Sequence, residues 1–145
     1  MIDERDLFIL NELRKNARLS SRALAKKVGL PISTVHRRIK RMEKEGIIKG
    51  YYAAIDFEKI GKPIEALILI NLAEGREYIP LEQIKKELKG IGEIMEILVL
   101  QGGNIDLITK VRLPNLKNLS SFLENIRKLE GIEEVSCSIV AEELS

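Results

Sequence analysis

The most restrictive feature of the chain is the stretch over residues 20–45, in which two short amphipathic patterns flank a tight break at Gly29-Leu30-Pro31. Ala25 is a small residue on the first pattern, and it would let a second helix cross closely. Gly29 allows the positive φ that a sharp turn needs. Val35 is a β-branched apolar residue that can insert the second helix into a core. The spacing of these residues predicts a helix-turn-helix.

The second helix of this motif is predicted to have two different sides. At about 100° per residue, its apolar side is a single stripe. The residues of that stripe, all expected to be buried, are Ile32, Val35, Ile39 and Met42. The opposite side carries hydroxyl groups first and basic groups afterwards. Its residues are Ser33, Thr34, Arg37, Lys40, Arg41 and Lys44, with His36 and Arg38 on the two shoulders.

A helix with such a surface is typical of proteins that read the major groove of DNA, where N-terminal residues reach base edges and later ones meet phosphates. The predicted base contacts are Ser33, Thr34, His36 and Arg37. The predicted phosphate contacts are Arg38, Lys40 and Arg41, with Ser20, Ser21 and Arg22 from the start of the preceding helix. A solvated helix face is the commoner fate of a charge run. It usually includes acidic residues, however, and between Asp6 and Glu43 the sequence has only Glu12.

Charge divides the chain into two unlike parts. The whole chain has a net charge of +2, with 45% hydrophobic and 32% charged residues, which is enough apolar material for a core. Residues 1–50 carry 13 Lys and Arg against 6 Asp and Glu, whereas residues 51–145 carry 11 against 16. The first part suits a polyanion and the second would be repelled by one. We predict two domains, residues 1–50 and 63–145, joined by a linker strand and hinge at residues 51–62.

Three helices are predicted in the first domain. The first begins with acidic residues at the positive end of its dipole. Its broad apolar side is expected to be buried and contains Leu7, Phe8, Ile9, Leu10 and Leu13. Ser20 is the predicted N-cap of the second helix, and Gly46 ends the third. The segment from Ile47 to Asp56 is rich in strand formers, and it could be a wing, a tether or a strand of the next domain.

The apolar pattern changes its period from Ile64 onward. The predicted strands are residues 64–73, 93–100, 105–113 and 132–141, and the predicted helices are residues 81–88 and 116–129. The order βαββαβ is that of a ferredoxin-like unit, an antiparallel sheet with two helices on one face. The fold class is therefore α+β, with an N-terminal three-helix (winged) helix-turn-helix domain and a C-terminal βαββαβ ferredoxin-like domain.

The first two strands of this sheet are apolar on both sides, through Leu67 and Leu69 as well as Ile68 and Ile70. Two helices cover only one face of such a sheet, and an exposed apolar patch normally marks an interface. We therefore predict a homodimer through the second domain. Its symmetry would present two recognition helices to successive turns of double-stranded DNA.

With these elements in place, the whole chain resembles the Lrp/AsnC (feast/famine) transcription regulators. The resemblance rests on residues 1–6 (MIDERD), 16–18 (NAR), 24–30 (LAKKVGL), 37–43 (RRIKRME) and 46–51 (GIIKGY). Pro31 departs from the family, in which Ser or Thr usually precedes the recognition helix. The resemblance implies operator binding as dimers, which are often assembled into octamers.

The resemblance also implies an amino-acid effector, held between dimers near a turn of the second domain. Asn104 stands where an acidic residue is usual, and Val135 and Cys137 stand where a Thr-x-Thr pair is usual. The implied effector-binding residues are Gly102, Gly103, Asn104, Asp106, Val135 and Cys137. Asp106 could instead cap the end of a strand at this turn, and Cys137 could be a small core residue.

Two other functions compete with a sequence-specific regulator. One is a sequence-tolerant architectural DNA protein, which a low ratio of specific to non-specific affinity would indicate. The other is an enzyme resembling the sirohaem decarboxylases, which use histidine and arginine in the second domain. Residues 51–145 contain no histidine, and one His and one Cys allow no catalytic or metal-spaced cluster. We therefore expect no enzyme activity, cofactor or metal. Without an apolar run of about 20 residues or a signal peptide, we expect a cytoplasmic protein and no membrane partner.

Overall fold

The structure is a computed structural model that describes residues 1–144. The chain divides into two units, Met1–Ile55 and the part from Asp56 onward. The first unit contains three helices, α1 (Glu4–Lys15), α2 (Ser21–Val28) and α3 (Ile32–Lys44). None of the helices in residues 1–144 is long and apolar enough to cross a membrane.

Local sequence sets the ends of these helices. Asp3 caps α1 in a capping box, because its side chain accepts from the N–H of Asp6 while the Asp6 side chain accepts from the N–H of Asp3. Ser20 caps α2, as predicted, by accepting from the N–H of Ala23 at 3.1 Å. Gly29 follows α2 with φ of 75°, which is the left-handed conformation that the turn into α3 requires.

Gly46 ends α3, as predicted, in a left-handed conformation with φ of 74°. The N–H of Ile47 donates to the carbonyl of Met42 at 2.9 Å, and the N–H of Gly46 donates to that of Glu43 at 3.1 Å. These two bonds form a Schellman motif. Residues 47–55 then form no strand, so neither a wing strand nor a strand of the second unit is present there.

The core of the first unit is smaller than the sequence predicted. Its buried apolar residues are Ile9, Leu13, Leu24, Ala25, Val35 and Met42. The inward side of α1 runs through Asp6, Ile9 and Leu13, so that Leu7 and Phe8 lie on its flanks and are 53% and 40% exposed. Ile32, on the first turn of α3, is 44% exposed because the buried cluster begins one turn later, at Val35. Burial of Leu7, Phe8 and Ile32 was therefore a wrong prediction.

The second unit confirms the predicted βαββαβ order. Its elements are β1 (Ile64–Leu72), α4 (Leu81–Lys89), β2 (Ile94–Val99), β3 (Leu107–Leu113), α5 (Leu116–Arg127) and β4 (Ile132–Ile139). The strands form one antiparallel sheet in the order β2-β3-β1-β4, which is ferredoxin-like. Short 3₁₀ turns cover Glu58–Ile60 and Gly75–Glu77.

The core of the second unit lies between one face of this sheet and the two helices. From β1 it takes Ala66, Ile68 and Ile70, and the helices contribute Ile84, Leu88, Leu119, Phe122 and Ile126. Alternation along the strands sends a second set of side chains to the other face, which we call the helix-free face. Its apolar residues are Leu67, Leu69, Leu98 and Ile108, and the register pairs Leu69 with Ile108 and Ile108 with Leu98.

A largely buried ion pair lies at one end of the helix-free face. Glu65 of β1 and Arg112 of β3 are register partners, and their carboxylate and guanidinium groups meet at 2.7 Å. The Arg112 guanidinium also stacks on the ring of Phe57 at 4.8 Å. The chain segment before β1 therefore covers this end of the helix-free face.

Candidate nucleic-acid interface

The helix α3 is amphipathic in the way the sequence predicted, apart from its first residue. Val35 and Met42 are fully buried, and Ile39 packs against the same core. The opposite side is exposed and presents a hydroxyl group before its cations. Its exposed residues are Ser33, His36, Arg37, Lys40 and Lys44, and Thr34 is half-buried beside them.

The start of α3 leaves backbone donors free for a ligand. Pro31 occupies the N-cap position and makes no side-chain cap, while its carbonyl accepts from the N–H groups of Thr34 and Val35, both at 3.1 Å. The first N–H groups of a helix point outward and attract anions. At the start of α2, Ser20 and Arg22 are exposed and Ser21 is half-buried. In this cap, the hydroxyl oxygen of Ser20 accepts from the N–H of Ala23. The O–H of the same hydroxyl can still donate to a phosphate.

Two of the predicted phosphate contacts are tied to a buried carboxylate. Arg38 donates through one nitrogen to both Asp3, at 2.7 Å, and Asp6, at 2.9 Å. Arg41 donates to the other carboxylate oxygen of Asp6. Asp6 itself is fully buried at the junction of α1 and α3. We call these four residues the ion cluster; it joins the start of α1 to the middle of α3.

The pairing keeps both carboxylates of the ion cluster ionised. The hydrogen bond from Arg38 is the main reason that the pKa of Asp3 falls from 3.8 to about 2. At Asp6, burial opposes ionisation most strongly, but the hydrogen bonds from Arg38, from the backbone of Asp3 and from Arg41 together outweigh it and lower its pKa. The same contacts raise the pKa of Arg38, with the Asp3 hydrogen bond as the largest cause.

From the sequence, the acidic residues at the start of α1 are expected at the positive end of the helix dipole, and Arg38 and Arg41 are expected at phosphates. The structure adds carboxylate partners within the chain for both guanidinium groups. Lys40 is paired more loosely, since its exposed side chain places its nitrogen 3.7 Å from the carboxylate of Glu43. The Asp-x-x-Asp spacing was the available signal for a capping box, but the partners 32 and 35 residues away gave no local signal.

The turn that the family resemblance singled out connects β2 to β3. Gly102, Gly103 and Asn104 are exposed, and both glycines have positive φ. Asp106 is also exposed, and its carboxylate accepts from the backbone N–H of Leu72 at 2.8 Å. Next to it, the backbone N–H of Asp106 donates to the carbonyl of Ile70 of β1. Asp106 therefore caps the end of β1, and one of its two carboxylate oxygens already accepts a hydrogen bond.

Val135 and Cys137 lie elsewhere within the chain. They pair with Ile70 and Ile68 and pack on the helix-covered side of β4, and β1 separates their strand from β3. Cys137 is thus a small core residue, and burial raises the pKa of its thiol. A site shared by these two side chains and the Gly102 turn is not formed inside one chain.

Neither His36 nor Cys137 belongs to a metal-ligand cluster. Across residues 1–144, no three His, Cys, Asp or Glu side chains are grouped so that they could hold a metal ion. His36 lies on the exposed side of α3, next to Arg37.

Two family models match the chain. One is described as winged helix-turn-helix DNA-binding and matches residues 2–49, and the other is the Lrp/AsnC ligand binding domain, over residues 65–145. The chain is 32% identical to the HTH-type transcriptional regulator FL11 of Pyrococcus furiosus, over 97% of this chain and 89% of that protein. It is 31% identical to the leucine-responsive regulatory protein of Haemophilus influenzae, over 99% of this chain and 86% of that one.

A solved structure has the same fold. A transcriptional regulator of Neisseria meningitidis in complex with L-Met superposes with a TM-score of 0.90 at 23% identity, covering 100% of this chain and 93% of that one. The sequence matches extend across both units, and the exposed cationic side of α3 has the chemistry of a DNA-reading helix. The chain therefore belongs to the Lrp/AsnC family of DNA-binding transcription regulators.

Proposed function

We propose that this regulator recognises its operator through the exposed side of α3, with Ser33, Thr34, His36 and Arg37 at the base edges. The observation that carries the proposal is the two-sided burial of α3. Val35 and Met42 hold one side in the core, so the opposite side projects a fixed set of hydroxyl, imidazole and guanidinium donors. Such groups match the acceptors that base pairs display in the major groove.

The neighbouring phosphates are assigned to a second set of groups. Lys40 continues the exposed side of α3, and Ser20, Ser21 and Arg22 lie at the start of α2. The uncapped first turn of α3 adds backbone N–H donors, which favour an anion at a helix start. These contacts would position the helix without reading sequence.

We further propose that the protein acts as a homodimer through the helix-free face. Leu69 and Ile108, which are half-buried, form an apolar row with Leu98, which is 47% exposed, and α4 and α5 pack on the opposite face of the sheet. Two such faces packed about a two-fold axis would remove these side chains from water. The dimer would then place two copies of α3 on one side of the duplex, and assembly of dimers into an octamer is the further proposal that the family suggests.

The test of operator recognition is selection from a library of random duplexes, followed by binding measurements on the selected and the random DNA. We expect an enriched, two-fold symmetric sequence bound at least about a thousandfold more tightly than random DNA. Failure to enrich any sequence, with salt-dependent binding of all duplexes alike, would support a sequence-tolerant architectural role instead.

An amino acid or a similar small molecule is the proposed effector, bound near the Gly102 turn in the assembled protein. Three points support it: the matching ligand-binding domain, the L-Met complex of the Neisseria regulator, and the exposed carboxylate of Asp106. Asn104 offers amide hydrogen bonds at this turn but no charge. Asp106 would therefore be the group that meets an ammonium.

The effector is tested with a panel of amino acids and the variant Asp106→Asn. An amide oxygen can still accept from the N–H of Leu72, so this variant keeps the cap of β1 while it removes the charge. We expect one or more amino acids to raise the melting temperature of the wild-type protein and to have no effect on the variant. Unchanged melting across the whole panel for the wild-type protein would contradict the proposal.

A further inference from the structure

The ion cluster has a property that its role in packing does not require. Asp6 is the fully buried carboxylate of the first unit, and both of its arginine partners come from the helix that we assign to DNA. Arg38 and Arg41 are two of the five Lys and Arg residues on α3. An apolar contact between α1 and α3 would hold the helices together equally well, and replacing buried ion pairs by apolar residues is often neutral or stabilising.

The cluster is electrically balanced. Two carboxylates, Asp3 and Asp6, face two guanidinium groups, Arg38 and Arg41, through bonds of 2.7 Å and 2.9 Å at Arg38 and a further bond at Arg41. The Arg38 side chain is 21% exposed and that of Arg41 is 37% exposed, so each is close enough to the surface to reach a phosphate once its carboxylate partner is removed.

We propose that Asp6, assisted by Asp3, withholds Arg38 and Arg41 from the DNA backbone and so sets the sequence-independent part of the affinity of this regulator for DNA. Non-specific affinity grows with the number of phosphates that a protein neutralises. Withdrawing two cations lowers the affinity for operator and random DNA alike, while the base contacts proposed for Ser33, Thr34, His36 and Arg37 are unaffected. Asp6 is thus a residue that tunes DNA affinity without touching DNA. The inference rests on the proposed DNA-reading side of α3.

The experiment compares the salt dependence of binding to random duplex DNA for the wild-type protein and Asp6→Asn, which has nearly the same shape but no charge. Each phosphate contact adds about 0.9 to the slope of log affinity against log salt. Asp6→Asn removes the carboxylate that holds Arg41, whereas Arg38 keeps its bond to Asp3, so the slope should steepen by about 0.9. The affinity of the variant should then fall about 3.5-fold more than that of the wild type between about 50 and 200 mM salt. The affinities for operator and random DNA should change alike, because a phosphate contact carries no sequence information.

Two variants separate the proposal from a general charge effect. Glu12→Gln removes one negative charge from the same helix, but Glu12 pairs with Lys15 and Lys27 rather than with α3, so its slope should stay at the wild-type value. Adding Arg38→Gln and Arg41→Gln to Asp6→Asn removes the released cations and should return the slope to the wild-type value.

Asp3→Asn is the variant for the same measurement if Asp6→Asn does not fold. Asparagine is as good an N-cap as aspartate, and Asp3 is 53% exposed and touches only Arg38 of the two arginines. Its slope should steepen by up to about 0.9. An unchanged or shallower slope in the folded variants overturns the proposal. Absence of any salt-dependent complex with the wild-type protein would instead remove the DNA-reading assignment itself.

Discussion

The exposed side of α3 and the helix-free face of the sheet are two surfaces of similar importance that arise in different ways. The first comes from a single helix, whose burial of Val35 and Met42 fixes which residues project outward. The second comes from strands far apart in sequence, because Leu69 of β1 meets Leu98 of β2 only through Ile108 of β3. The α3 surface is polar and complete in one chain, whereas the sheet surface is apolar and lies opposite the face on which α4 and α5 pack.

This difference indicates what each surface is for. A cationic helix surface is stable in water and awaits a ligand of opposite charge, so its contacts can form and break with DNA. Permanent burial of an apolar row on a sheet lowers the free energy, because it removes apolar surface from water. Such a row therefore suits a subunit interface. Leu69→Glu, Arg37→Ala and Lys40→Ala each act on one of the two surfaces and should leave the other intact.

The largest effect is expected from Leu69→Glu, which places a charge in the middle of the helix-free face. An unpaired buried charge costs about 4 kcal/mol, so the dissociation constant of the dimer should rise about a thousandfold. Sedimentation over a range of protein concentrations measures this directly. Ser120→Glu, on the exposed side of α5, is the control and should remain dimeric. A dimer of unchanged affinity in Leu69→Glu would place the interface on another surface.

Ile68→Ala tests the opposite face of the same strand. Ile68 is fully buried beneath the helices, and deleting such a side chain lowers the free energy of unfolding by about 3 kcal/mol through lost burial and a residual cavity. Urea unfolding at one fixed protein concentration measures the change. Ile139→Ala, at a residue that is 50% exposed on β4, should cost less than about 1 kcal/mol. Equal losses in the two variants would mean that β1 does not face the core in the way described.

The same contrast explains what could be predicted from the sequence. The strand predicted over residues 64–73 is β1 (Ile64–Leu72), because its apolar run is bounded by Pro63 and by the polar residues that follow. The cap of Ser20 and the glycine stop at Gly46 were also readable, since each depends on residues within one helical turn. Short-range chemistry therefore gave the elements and their order.

Contacts between distant residues were not readable in this way. Nothing near Asp6 in the sequence indicates that it binds Arg38 and Arg41, and the exposure of Leu7 and Phe8 depends on which side of α1 meets α3. The pairing of Val135 and Cys137 with the core strand β1 likewise follows from register rather than from their types. The helical period places a residue on one side of a helix, but the neighbours of that side are set by the tertiary fold.

A pair of smaller effects sharpens the description of α3. Arg37→Ala should lower discrimination between the selected operator and random DNA by about 1–3 kcal/mol if Arg37 makes a bidentate base contact. Lys40→Ala should weaken binding to both DNAs alike and reduce the salt slope by about 0.9, because a phosphate contact carries no sequence information. Competition binding at several salt concentrations separates the two. Identical behaviour of the variants on both DNAs would mean that the division of α3 into base and phosphate contacts is wrong.

The smallest effect is expected from Asp3→Asn, and the difference in stability between this variant and the wild-type protein should shrink in acid. The pKa of Asp3 in the folded chain is about 2 and lies below its ordinary value of 3.8, and that of Asp6 is lowered as well. Their contribution to stability is therefore present above pH 3.8 and is lost as the pH falls from there toward 2. The urea midpoint of the wild-type protein should drop across this window, and less steeply in Asp3→Asn, because one of the two titrating groups is gone. Parallel curves for the two proteins would show that Asp3 is not held by Arg38 in solution, whereas a flatter curve for Asp3→Asn would place the first link of the ion cluster at the start of α1.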